Sequence, residues 1–178
     1  MQADEFRRWA RFGVDQDGVK YIPVGGTCLI VYLVSRRDGS LLVGKVNGAD
    51  QAEYWKNEAI YLHRPEVWVG KWFVPCGFLH FGEAPADRAN DLVKNNLNGV
   101  AESLVLTDVV SYTEKSEYYP GYNHWHVNFV FEVRGLKLGE RPPWWDTLEY
   151  VPIGELSYEK IGMAGAEVMK KVGLVRSP

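Results

Sequence analysis

Two histidines offer the clearest means of moving a proton in this sequence. His124 and His126 are two residues apart in an apolar run, where a β-strand would direct both side chains to one face. Because an imidazole has an ordinary pKa of about 6.5, either residue is a candidate general base that would activate water. His80 lies on a predicted loop, and three converging imidazoles could also bind a transition metal. The alternative is that all three are ordinary surface or core histidines.

Aromatic and basic side chains are the candidate ligand contacts. Trp144 and Trp145 lie in a proline-rich stretch typical of an exposed loop, and together with Tyr122 they are candidates to stack on a nucleobase or sugar. Lys45, at the end of an apolar run, is a candidate phosphate contact. Aromatic residues make up 13% of the chain, and they also fill cores and dimer interfaces, so that alternative stays open for each of them.

The elements that must position these residues alternate between strands and helices. The continuous apolar run Thr27–Ser35 predicts a buried strand. Ala84–Leu97 gives the clearest helix signal, with Pro85 near its first turn and Asn98 and Gly99 at its end. We also predict helix at Asp4–Phe12 and in part of Ile153–Val172, loops at Gly77–Gly82 and Arg141–Asp146, and strands at Leu41–Val46, Trp72–Val74, Leu104–Thr113, Trp125–Val133 and Leu148–Val151. This mixture indicates an α/β or α+β domain.

Composition excludes several classes of protein. The 178 residues are 46% hydrophobic and 24% charged, which is typical of an ordinary globular domain and not of a disordered chain. A net charge of −3 argues against a strongly basic nucleic-acid binder, and no apolar run approaches the roughly 20 residues that span a bilayer. Two distant cysteines, Cys28 and Cys76, do not make a disulfide framework, so we expect a cytoplasmic protein.

One segment carries a family resemblance. Residues 72–99 read WFVPCGFLHFGEAPADRANDLVKNNLNG. They resemble the signature of the Nudix hydrolases, in which an aromatic residue, an aliphatic residue, Pro and two Gly lead into G-x5-E-x7-R-E-U-x-E-E-x-G-U, where U is aliphatic. Gly77 and Glu83 match the first glycine and the next acid, and Val93 matches an aliphatic position. The three helix carboxylates of this Nudix box are absent, and their positions are held by Leu92, Asn95 and Asn96.

The resemblance extends beyond the box. Further segments match the family in chain order at 41–45, 124–133 and 149–156, so that the likeness covers residues 24–172. It implies a Nudix-type α/β/α sandwich with a mixed β-sheet, formed by a single domain over residues 1–178. Within that domain we expect an N-terminal helix and lead-in at 1–23, an insertion at 47–70 and the degenerate box at 72–99.

The resemblance also implies a metal. In a Nudix box the carboxylates hold Mg²⁺ or Mn²⁺, which neutralises a diphosphate and activates or orients water. Here the carbonyl of Gly77 with Glu83 and Asn96 would form a weak single-metal site, because a neutral amide brings no charge. The alternative is that Asn95 and Asn96 cap the helix end and that Glu83 stabilises the helix start through the helix dipole.

Two functions follow from the resemblance. The box segment looks most like that of the GDP-mannose mannosyl hydrolases. This implies hydrolysis of a nucleoside diphosphate sugar, or of a related nucleoside diphosphate derivative, with His124 or His126 as base and Lys45 on the phosphate. The competing hypothesis is a catalytically inactive Nudix-fold module that binds a nucleotide or protein partner through its aromatic loops. We expect no nucleic-acid or membrane partner, and a homodimer is compatible with the aromatic content.

Overall fold

Strands supply most of the framework that positions the candidate residues. The computed structural model describes residues 27–46, 70–79, 82–115, 123–162 and 165–175. Within these ranges the strands are β1 (Thr27–Val34), β2 (Arg36–Arg37), β3 (Ser40–Val46), β4 (Cys76–Phe78), β5 (Gly99–Val100), β6 (Ser103–Lys115), β7 (Asn123–Arg134), β8 (Lys137–Leu138) and β9 (Trp145–Pro152). The predicted N-terminal helix Asp4–Phe12, the lead-in 1–23 and the insertion at 47–70, except Gly70, lie outside the described residues.

Helical segments connect and cover these strands. They are α1 (Pro85–Asp91), which continues into a π-helical turn (Leu92–Asn96), and α2 (Gly165–Lys171), with two 3₁₀ turns (Ile153–Glu155 and Tyr158–Lys160) before it. The predicted helix at 84–97 is therefore present, and Asn98 takes a left-handed φ of 47° directly after it. Among the described residues, no helix is long and apolar enough to cross a membrane.

The strands form a mixed arrangement. A four-stranded sheet has the order β4-β1-β7-β6, a three-stranded sheet has the order β2-β3-β9, and β5 pairs with β8. β1 runs parallel to β7, whereas β4 runs antiparallel to β1 and β6 antiparallel to β7. β1 lies between β4 and β7, and most of its side chains are buried on both faces of the sheet. Its continuous apolar, β-branched sequence suits this position.

Alternating side chains of β1 separate the core into two layers. Val31 and Leu33 pack against α1, and we call this cluster the α1 layer. Ile30 and Tyr32 face the other way and pack with α2 residues such as Met169, in what we call the α2 layer. A mixed sheet covered by a helix on each face confirms the predicted α/β/α sandwich.

The strand that leads into the box differs from the prediction. Trp72 and Phe73 make only isolated bridges. The paired strand is β4, whose last two residues, Gly77 and Phe78, fall in the segment predicted as a loop. Pro75 explains the shift, since a proline has no N–H to donate but is tolerated at the start of a strand. Its carbonyl accepts a hydrogen bond from the Leu33 N–H at 2.8 Å and so begins the alignment of β4 along β1.

Candidate functional site

The box glycine is held between β1 and α1. Gly77 pairs with Val31 of β1 and turns its α-carbon toward the α1 layer. A Cβ at this position would lie 2.7 Å from Nη2 of Arg88 and 2.8 Å from Cδ2 of Leu92, closer than side chains can approach. A larger residue here would therefore force the side chains of Arg88 and Leu92 to shift, because α1 packs closely on the backbone of β4.

The side chain nearest this glycine is a cation that the sequence analysis missed. Arg88 is only 5% exposed, and its Nη1 donates to Oδ2 of Asp91 at 2.8 Å. Asp91 also accepts a hydrogen bond from Nδ2 of Asn95 at 2.5 Å. The spacing of Arg88 and Asp91, one helical turn apart, could have predicted their ion pair. The sequence does not show that the guanidinium is buried against Gly77.

The residues at the box positions do not fit a divalent cation. Leu92 is buried in the α1 layer, Asn95 is bonded to Asp91, and Asn96 is only 3% exposed. Glu83 at the helix start remains half-buried. No three His, Cys, Asp or Glu side chains converge as metal ligands within the described ranges. A hard dication needs several oxygen donors and negative charge, whereas the charge buried beside Gly77 is a guanidinium.

Trp144 and Trp145 both contact Asn96 through hydrogen bonds from their indole rings. The indole Nε1 of Trp145 lies 3.1 Å from the main-chain oxygen of Asn96, and that of Trp144 lies 3.3 Å from the same oxygen. Both indoles thus satisfy a carbonyl at the end of the helix, where main-chain acceptors lack helical partners. Trp145 is buried against Phe73 and opens β9, so it lies in the core and not in the exposed loop predicted at 141–146, whereas Trp144 is half-buried.

The described histidine of β7 lies in the α2 layer. His126 is only 2% exposed, and its ring stacks on Tyr112 with centroids 4.9 Å apart and planes 6° from parallel. It pairs with Cys28 of β1, a residue of the α2 layer, whereas Gly77 faces the α1 layer. The sheet therefore separates this imidazole from the box glycine. The side chain of His124, and the whole of His80 and Tyr122, lie outside the described residues, and their roles stay predictions.

Lys45 also lies away from the box glycine. On β3 it follows the alternation of Leu41 and Val43, which belong to the α2 layer. Its Nζ sits 4.5 Å from the ring centroid of Trp72, another residue packed against that layer. The structure therefore brings Lys45 together with Trp72 and not with Gly77 or Asn96.

An ion pair links the two larger sheets. Glu132 of β7 accepts hydrogen bonds from Arg134, at 2.6 and 2.9 Å, and from Arg36 of β2, at 3.0 Å. The Arg134 guanidinium, followed by that of Arg36, holds the pKa of the Glu132 carboxyl below its usual range. Through Arg36, this carboxylate forms an ion pair between the three-stranded sheet and the four-stranded sheet.

Solved structures identify the class of this fold. The MutT Nudix hydrolase from Burkholderia pseudomallei matches with a TM-score of 0.56 at 18% identity, over 82% of this chain and 98% of that one. The mutator MutT protein from Bacillus halodurans matches with a TM-score of 0.54 at 15% identity, over 83% of this chain and 82% of that one. No family model and no curated protein matches the sequence. This chain has the Nudix hydrolase fold.

Proposed function

We propose that this chain uses the Nudix fold to bind a nucleoside diphosphate derivative, most simply a nucleoside diphosphate sugar of the GDP-mannose type, without hydrolysing it through a metal-loaded box. The Nudix fold and the box segment at 72–99 support the ligand class. The residues around the box support recognition over turnover, because a fold hosts different activities according to the side chains at its site.

The observation that carries this proposal is the buried guanidinium of Arg88 against Gly77. The three helix positions that hold carboxylates in a Nudix box are Leu92, Asn95 and Asn96 here. Even at an effective dielectric constant of about 20, each carboxylate lost near a metal ion removes several kcal/mol of attraction. The loss of these carboxylates also lowers the repulsion that an anionic diphosphate would meet at this face, where the guanidinium of Arg88 is already paired with Asp91.

Hydrolysis is the second candidate function, and one feature favours it. Glu83 keeps the acid of the box at the start of α1, next to the loop that follows Gly77. For this candidate we propose that His124 or His126 activates water.

Calorimetry combined with a turnover assay separates the two functions. GDP-mannose and ADP-ribose are titrated into the protein in EDTA and again in excess Mg²⁺ or Mn²⁺, and product formation is followed under the same conditions. We expect binding that EDTA does not abolish, and no metal-dependent turnover. Glu83→Gln should leave the affinity within about twofold, as should Asp87→Asn on the exposed face of the same helix.

Metal-dependent turnover that Glu83→Gln abolishes and Asp87→Asn leaves intact would reject the binding proposal in favour of hydrolysis. His124→Ala and His126→Ala would then identify the base, and full activity in both would reject that assignment. No binding of either compound under any condition would reject both functions.

A further inference from the structure

A cavity at the end of β3 is lined by several positively charged side chains. Its volume is about 430 Å³, within the range of roughly 300 to 1,000 Å³ in which small-molecule sites fall. The end of β3, the segment before β4 and the second 3₁₀ turn line it, and it is largely open to solvent. Its lining residues are Lys45, Gly70, Lys71, Trp72, Glu159 and Lys160.

The three lysines are not neutralised by an equal number of acids. The Nζ of Lys71 donates to the main-chain oxygen of Glu159, and the Nζ of Lys160 donates to that of Glu155 at 3.0 Å, while Lys45 lies over Trp72. Across the described ranges, no ion pair joins any of these ammonium groups to a carboxylate. Since each ammonium carries three N–H donors, donors remain for a ligand.

The single acid of the lining does not cancel this charge. A hydrogen bond from its own main-chain N–H, then one from Ser157, and the nearby charge of Lys71 lower the pKa of the Glu159 carboxyl. The group is therefore ionised at neutral pH. Three ammonium groups and one carboxylate leave the lining with a net charge of two positive units.

The cavity lies on the other side of the sheet from the box glycine and α1. Trp72, which forms part of its wall, packs against the α2 layer, and Lys45 follows the residues of β3 that face this layer. Gly77 and α1 belong to the opposite layer. A ligand in this cavity would therefore contact different side chains from a ligand bound beside α1.

We infer that this cavity is a second anion site, which binds a compact polyphosphate group through Lys45, Lys71 and Lys160. A diphosphate suits a lining in which several ammonium donors approach from three separate segments, because each of its oxygens can accept from a different lysine. The site does not depend on the proposed function of the box, since the only box residue it shares is Trp72, and Gly77, Glu83 and Asn96 are not part of its lining.

The test is calorimetric titration of inorganic pyrophosphate into the full chain at low ionic strength. Lys71→Met and Lys160→Met each remove one charge from the cavity, and Lys94→Met removes the same charge from an exposed position in the π-helical turn that follows α1. We expect Kd to rise about 5- to 10-fold in each cavity variant and less than twofold in Lys94→Met. Circular dichroism of each variant checks that it is folded.

Three results would overturn the inference. They are no pyrophosphate binding by the native chain at millimolar concentration, equal weakening in Lys94→Met, and displacement of pyrophosphate by saturating GDP-mannose. The last result would place both ligands in one site, while persistent pyrophosphate binding beside bound GDP-mannose supports two. A further titration with ADP distinguishes the source of the phosphate. If ADP binds more tightly than pyrophosphate, the ligand of the cavity is a nucleotide. If the two bind equally, the cavity recognises the diphosphate group alone.

Discussion

The side chain of Asn96 allows a sharp test of whether the end of the box helix can hold a metal ligand. Asn96→Glu restores the residue type that the Nudix motif has at this position. Asn96 is, however, only 3% exposed, and its main-chain oxygen accepts hydrogen bonds from two indoles. We therefore expect this substitution to destabilise the protein and to create no Mg²⁺ site.

The expected loss follows from enclosing a carboxylate. Burial raises the pKa of a carboxyl group by up to about 3 to 5 units when it is complete. A rise of only about 2 units costs about 2.7 kcal/mol once the group is ionised in the folded state. Because the folded pKa is the higher one, the cost is absent below about pH 4, grows as the pH rises from the unfolded to the folded pKa, and is complete above it. For a chain of 178 residues, this loss lowers Tm by about 5 to 11 °C at neutral pH.

Urea unfolding followed by circular dichroism at pH 5 and pH 8 measures this effect. Asn95→Glu is the matched control, because Asn95 precedes Asn96 in the chain and is exposed. We expect it to lower the free energy of unfolding by no more than about 1 kcal/mol, and by the same amount at both pH values, because it loses the exposed hydrogen bond to Asp91 and adds a second carboxylate beside it. If Asn96→Glu is as stable as Asn95→Glu at both pH values, the carboxylate is not buried and the burial argument is refuted. If Mg²⁺ raises the Tm of Asn96→Glu, the side chain reaches a cation site and our interpretation of the box is refuted.

Two further predictions concern packing and charge. Gly44→Ala should lower the free energy of unfolding in urea by about 1 to 3 kcal/mol, because the added Cβ would lie 2.3 Å from Cε3 of Trp145. Gly154→Ala is the control, and it should lower this free energy by less than about 0.5 kcal/mol because no atom lies within 4 Å of the added Cβ. Equal losses in the two variants would contradict the packing argument. Glu132→Gln should cost about 1 kcal/mol at pH 7, because it removes the carboxylate that two arginines hold. Those arginines lower the pKa of Glu132, so the native chain should lose its extra stability over Glu132→Gln as the pH falls through the lowered pKa. If the stability of the native chain and of the variant falls equally in acid, the ion pair does not stabilise the fold.

Local patterns were sufficient to predict most of the fold. The apolar run of β1, the long strands β6 and β7, and the proline and asparagine that bound the box helix each carry a signal within a few neighbouring residues. Short-range sterics and burial on both faces of a strand produce such signals wherever the segment lies in the chain. The order of the box, the core strand and the late segment then indicated the Nudix sandwich. The start of β4 was missed because its partner is the distant strand β1, and pairing determines which residues beside Pro75 form the strand.

The candidate site could be predicted only by residue type. The sequence shows that box carboxylates are missing, but it does not show that Arg88 enters the core beside Gly77 or that two indoles bond to Asn96. It also does not show that Lys45 lies beside Trp72. Each of these contacts joins segments that are distant in the chain or depends on which face of an element is turned inward.

Residue type and spacing therefore determined the chemistry available to this protein, namely few carboxylates in the box, several lysines and many aromatic rings. Only the tertiary structure decided on which side of the sheet each of these side chains lies. The physical reason is that strand pairing assigns alternate side chains to opposite layers, so that His126 and Gly77, on neighbouring parts of one sheet, face different helices.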